Sequence, residues 1–215
     1  MATIQKANAP TQEQRIVLHN ISWQTYEYLL ADHESASAPR FTYDRGELEI
    51  MSPLLEHEDR RWATERLVEA AVQEMGVEFM NAGSTTFKRQ DLDRGFEPDS
   101  CFYIQNELAV RHKRSLDLRT DPPPDVVIEI DLTHSSIDKL DLFATLGIPE
   151  VWRYEGGRVA ILLLSSGAYV PTDESRALPG VTASDVSKLI AAVGMTGRAA
   201  WLRRVREWAE GLLEQ

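Results

Sequence analysis

The stretch DVVIEIDLTHSSIDKLDLFATLGIPEVWRY, Asp125 to Tyr154, constrains the fold more than any other part of the chain. Its opening has the composition of a buried strand, yet it carries the carboxylates of Asp125, Glu129 and Asp131 among valines and isoleucines. An unpaired carboxylate loses several kcal/mol on leaving water, so such an acid is paired, protonated, metal-bound or at a solvated strand end. Asp125 follows three prolines and suits the solvated end. After the strand, SSIDKLDLFATLG predicts a helix, with Ser135 and Asp138 resembling a capping box and Gly147 before Pro149 closing it. VWRYE then returns to strand.

The same punctuation runs through the rest of the chain. Ser22 predicts the N-cap of a first helix that places Trp23, Tyr26 and Leu30 on one face. FTYD and ELEIM predict a hairpin turning at Arg45 and Gly46. A long helix follows in SPLLEHEDRRWATERLVEAAVQEMG, with Ser52 as its cap, Pro53 at its first position and Gly76 at its end. VEFMNA, STTFKRQ, PDSCFYI, RVAILLLS and AYV predict further strands. Thr182 with Asp185 opens another helix that stops at Gly194, and TGRAAWLRRVREWAEGLLEQ predicts a last one. The expectation is an α/β fold: a mixed central β-sheet flanked by helices. Residues 1–20 are expected to be a flexible lead-in, 21–194 one domain, and 195–215 a helix packed on that domain or at a dimer interface through Trp201 and Trp208.

The formal net charge of −11 argues against a protein that coats nucleic acid, while leaving room for a local contact through Arg111, Lys113 and Arg114. The second basic group, Arg198, Arg203, Arg204 and Arg206, reads as a solvated helix face. No apolar run approaches a membrane span, the first residues have no signal-peptide core, and the single cysteine, Cys101, reads as core. A cytoplasmic protein is expected.

Candidate chemistry lies at the ends of these elements: His57 and Glu58 early in the long helix, Asp99 after Pro98, Glu129 and Asp131 on the apolar strand, and Lys139 in the helix after it. If the strands around Asp99 and Glu129 are neighbours, two like charges converge and repel, which a divalent cation resolves. Oxygen ligands without cysteine suit magnesium or manganese. Two acids and a lysine around such a metal point to phosphodiester hydrolysis. The plainer alternatives are a turn aspartate at Asp99, a helix-pairing lysine at Lys139 and a solvated first turn at His57 and Glu58.

FEPDSCFYI, DVVIEIDLTHSSIDKL and LGIPEVWRYEGGRVAILLL together resemble the Uma-two family of restriction endonucleases, within the PD-(D/E)XK nuclease superfamily. RGELEIMSPLLEH and GSTTFKR extend the likeness from about Trp23 to Ile190. The resemblance implies a restriction-endonuclease-like fold and a metal-dependent endonuclease acting on nucleic acid, DNA ahead of RNA, with a homodimer expected. It implies Asp99 and Glu129 as metal ligands binding magnesium or manganese. The superfamily's simplest pattern has lysine two residues after the second acid, where this chain has Asp131; Lys139 is similar to the branches that move the lysine to the next helix. Asp131 is then a further ligand or an acid capping the turn near Thr133, and His57 resembles the family's histidine on the first core helix. The other reading is a catalytically silent nuclease fold kept as a binding or interaction module.

Overall fold

The computed structural model describes residues 13–33, 38–133, 135 and 137–214. Its first strand, β1 (Gln14–Leu18), lies inside the stretch expected to be a loose lead-in and pairs antiparallel with β3, so the lead-in reading fails from Gln14 onward. Residues 1–12 lie outside the described residues. Helix α1 (Trp23–Asp32) starts where expected, the Ser22 side chain accepting from the Thr25 amide. Strands β2 (Arg40–Asp44) and β3 (Glu47–Ser52) form the expected hairpin. Arg45 and Gly46 both have positive φ, +48° and +91°, as a two-residue turn matched to strand twist requires.

The long helix α2 (Leu55–Glu74) begins later than predicted. Ser52 is still in β3, opposite Gln14, and Leu54 occupies the cap position without a side-chain hydrogen bond. Short strands β4 (Met80–Asn81), β5 (Phe87–Arg89), β6 (Arg94–Phe96) and β7 (Ser100–Tyr103) follow, then the single turn α3 (Glu107–Val110). The acid-bearing strand is β8 (Val126–Asp131). Its helix α4 (Lys139–Thr145) is capped by Asp138, not by Ser135, whose hydroxyl instead donates to Glu49. Strands β9 (Glu150–Glu155), β10 (Arg158–Ser165) and β11 (Ala168–Thr172) and helices α5 (Ala183–Ala191), capped by Thr182, and α6 (Arg198–Glu210) complete the fold.

The strands form two sheets where one was expected. The larger is mixed, in the order β11-β10-β9-β8-β7-β4, with β8 and β9 parallel and joined through α4. The smaller is antiparallel, in the order β1-β3-β2-β6-β5. Side chains alternate across β8: Val126, Ile128 and Ile130 pack with Leu67, Ala71, Ile190, Trp201 and Val205 from α2, α5 and α6. Val127 faces the other way, onto Phe143 of α4 and Phe96 of the smaller sheet. Glu129 and Asp131 share its parity, so the period of two delivers both acids to the side where α4 and the smaller sheet lie.

Trp201 is buried against this core and donates to the Leu189 carbonyl at 2.8 Å, while Trp208 packs beside it half-buried. These tryptophans pack α6 against the domain core. Cys101 is buried core, as expected, and no helix among the described residues is long and apolar enough to cross a membrane.

Gly95 in β6 is required by close approach. A Cβ there would stand 2.5 Å from the Tyr26 hydroxyl oxygen and 2.9 Å from its ring. Tyr26 cannot retreat, being fully buried and stacked on Tyr43 at 4.9 Å. Gly95→Ala is therefore expected to cost about 1–3 kcal/mol in chemical denaturation, and less when combined with Tyr26→Phe, which removes the nearest atom. An unchanged midpoint would contradict this packing.

Candidate active site

The acids of β8 meet side chains from five other elements at one end of the larger sheet. Asp99 immediately precedes β7, whose register sets Ser100 opposite Ile128, and it accepts from the Ile130 amide at 2.6 Å. That bond fixes the Asp99 carboxylate beside Glu129. Glu129 takes Lys139 Nζ on Oε2 at 2.5 Å, because α4 begins at Lys139 and turns its first side chain back over the strand. Asp131 takes Arg153 Nε at 2.7 Å and stands 3.7 Å from Arg15. Arg40, at the start of β2, bridges Asp99 and Glu58, and His57 Nε2 lies 3.1 Å from Asp99 Oδ2. The sequence-predicted Asp99, Glu129, Asp131, Lys139, His57 and Glu58 thus come together.

His57 is fully buried, so the solvated-turn reading does not hold for it. Burial alone would push its imidazole down, but Asp99 on one ring nitrogen and Glu58 on the other outweigh it and raise His57 to about 9. Burial pushes Asp99 up, and His57, Arg40 and Lys139 overcome this and hold its carboxyl below the usual range. Glu129 goes the other way: desolvation, with Asp99 and Asp131 nearby, raises it in spite of Lys139. Lys139 is held up, the penalty of burial being exceeded by the pull of Glu129 and Asp99.

Two buried oxygens, Glu129 Oε1 and Asp131 Oδ1, find no hydrogen-bond partner among the described residues. Among those residues no group of three or more histidine, cysteine or acidic side chains is gathered around a common metal position. Magnesium commonly uses only one or two carboxylates and completes its shell with water and substrate phosphate. Asp99 and the unpartnered Glu129 oxygen fit that donor set, all oxygen and under-neutralised at Glu129. Asp131 is the more neutralised of the two β8 acids, with Arg153 on one oxygen and Arg15 at 3.7 Å from the other.

The site also uses residues that the sequence did not mark. Glu13 and Arg15 come from the edge strand region, with Arg15 donating to Glu49 at 2.8 Å and Thr133 donating to Glu13 at 2.6 Å. Glu49 lies between Leu48 and Ile50 in β3, an acid in apolar surroundings like Glu129, and the same reasoning would have found it. Arg153 in EVWRY carried a comparable signal. Arg40 did not, since only the folded chain brings it to Asp99. By contrast, the basic stretch Arg111 to Arg114 is not part of this cluster. It follows α3, beyond the far end of β7, about 13 Å of strand away from Asp99, and Arg111 pairs with Glu107 and Lys113 with Asp121. Arg114 is exposed there.

This mixed sheet flanked by helices is a nuclease-like fold. A crystal structure of a putative nuclease belonging to DUF820 from Anabaena variabilis ATCC 29413 is similar to it, with a TM-score of 0.52 and 13% identity over 71% of this chain and 92% of that one. The Uma2 family model, described as "Putative restriction endonuclease", matches residues 23–192. The chain belongs to this family. No curated protein matches it.

The Glu58 carboxylate gives the cluster a measurable signature. His57 Nδ1 at 3.4 Å, aided by Arg61 and Arg40 against burial, lowers its pKa from 4.5 to about 2. A depressed acid contributes stability above its unfolded value and loses it as pH falls through its folded value. The melting-temperature gap between wild type and Glu58→Gln is therefore expected to be widest above pH 4.5 and to close towards pH 2. A gap independent of pH would show that Glu58 is not held by these cations.

Proposed function

We propose that this chain is a metal-dependent endonuclease that hydrolyses phosphodiester bonds of DNA. The observation that carries the reading is the convergence of Asp99, just before β7, with Glu129 of β8 and Lys139 of α4, in a chain of a restriction-endonuclease family. Asp99 and Glu129 would hold magnesium or manganese. Such an ion, when bound, polarises a phosphoryl oxygen and lowers the pKa of a coordinated water. Lys139 is then the group that orients the attacking water and balances the negative charge growing on the phosphate. His57 and the Ile130 amide keep the Asp99 carboxylate in place and ionised. In the overall reaction the water oxygen bonds to phosphorus, the bond from phosphorus to the leaving sugar oxygen breaks, and that oxygen takes up a proton.

A second reading is supported by Arg40. Its guanidinium already pairs with Asp99 Oδ1, while Asp99 Oδ2 has His57 and the Ile130 amide, so internal cations satisfy this acid without a metal. A catalytically silent nuclease fold that binds a partner is compatible with such a site.

Titration calorimetry with magnesium and manganese separates the two. The nuclease reading expects saturable binding that Glu129→Ala removes, metal-dependent plasmid cleavage that Asp99→Ala with Glu129→Ala abolishes, and a fall of about 100- to 1,000-fold in Lys139→Ala. Cleavage surviving in the double variant would sink the assignment. Absence of both cation binding and cleavage would favour the silent module.

A further inference from the structure

The cavity beside Glu129, about 180 Å³, is lined by Asp131, Ser135, Lys139 and Arg153 among others. Two cations face it. Lys139 is committed to Glu129 and only 12% exposed, whereas Arg153 is 30% exposed at the cavity wall. The parallel register of β8 and β9 sets Arg153 directly beside Glu129, just as it sets Val151 beside Val127 on the same face. Strands of a parallel pair covered on both faces are normally apolar. An arginine at that position, next to two acids, therefore needs its own explanation.

Its hydrogen bonds offer one. Nε donates to Asp131 Oδ2 at 2.7 Å, and Nη2 reaches Glu155 at only 3.5 Å. Nη1 makes no hydrogen bond among the described residues. Asp131 thus holds the root of the guanidinium and Glu155 makes a long contact with Nη2, while Nη1 stays available at the cavity. A planar guanidinium with free N–H groups is suited to two oxygens of one phosphate, and such contacts strengthen as charge builds on the phosphoryl group.

We propose that Arg153 is a catalytic residue that grips the non-bridging oxygens of the scissile phosphate, and that Asp131 is its positioning residue, not a metal ligand. This rests on the nuclease reading but names residues that the reading does not require. It also gives Asp131 a role other than the metal ligand or turn cap that the sequence left open: the acid aims an arginine.

The test uses the full chain, a fluorescent DNA duplex and calcium in place of magnesium to measure binding without turnover. Arg153→Gln is expected to weaken binding and to reduce the slope of log affinity against log salt by about 0.9, the value of one lost phosphate contact. Arg153→Lys, which keeps the charge and guards against misfolding, should restore the slope yet leave kcat at least about 10-fold low with KM little changed, since an ammonium lacks the fork. Asp131→Asn should lower kcat while leaving both the salt slope and the magnesium isotherm as in wild type. An unchanged slope in Arg153→Gln, or loss of magnesium binding in Asp131→Asn, overturns the proposal. If the wild type binds DNA without ever cleaving it, the nuclease reading fails, and the slope still decides whether Arg153 contacts phosphate. If it binds no DNA, both fall.

Discussion

Everything at this site follows from placing two carboxylates on a strand that is buried along its whole length. Glu129 and Asp131 are only 3% and 7% exposed, so protein cations largely take the place of water. They come from distant parts of the chain: Lys139 from α4, Arg153 from β9 and Arg15 from β1, with Arg40 and His57 answering Asp99 alongside. The smaller sheet is what brings Arg15 and Arg40 within reach. Its role in the fold is as much electrostatic as hydrophobic.

The alternation of β8 divides labour within one strand. Residues of even number lie in the main core with α2, α5 and α6, where Leu67, Trp152 and Trp201 exclude water. Those of odd number run from Val127, packed on Phe143, to the acids at the strand end. Rigidity and chemistry are thus two faces of the same six residues, and a one-residue slip in register would exchange them.

Local signals were readable in the sequence because they are local physics. Ser22 and Thr182 as caps, the Arg45–Gly46 turn and the burial of VVIEID each depend on a few neighbouring residues. Ser135 misled for a tertiary reason, since Glu49 from the other sheet claims its hydroxyl. The acids of β8 were legible as charges in a costly place, and Asp99 and Lys139 through their positions at element ends and the family resemblance. Arg40 and Arg15 were not, because an arginine at a strand start or on an edge strand is ordinary until its distant partner is known. The basic stretch at Arg111 to Arg114 misled in the opposite sense: its charge answers Glu107 and Asp121 and lies beyond the other end of β7.

The bonds from Arg15 and Glu13 to Thr133 join residues 118 and 120 positions apart. Closing so long a span costs loop-closure entropy before its contacts reward it, which makes it slow beside local hairpins and helices. A chain still being synthesised, or one locally opened at β1, therefore carries its acids without the full set of cations that orders them. The acid cluster is complete only once the N-terminal strand has closed onto it.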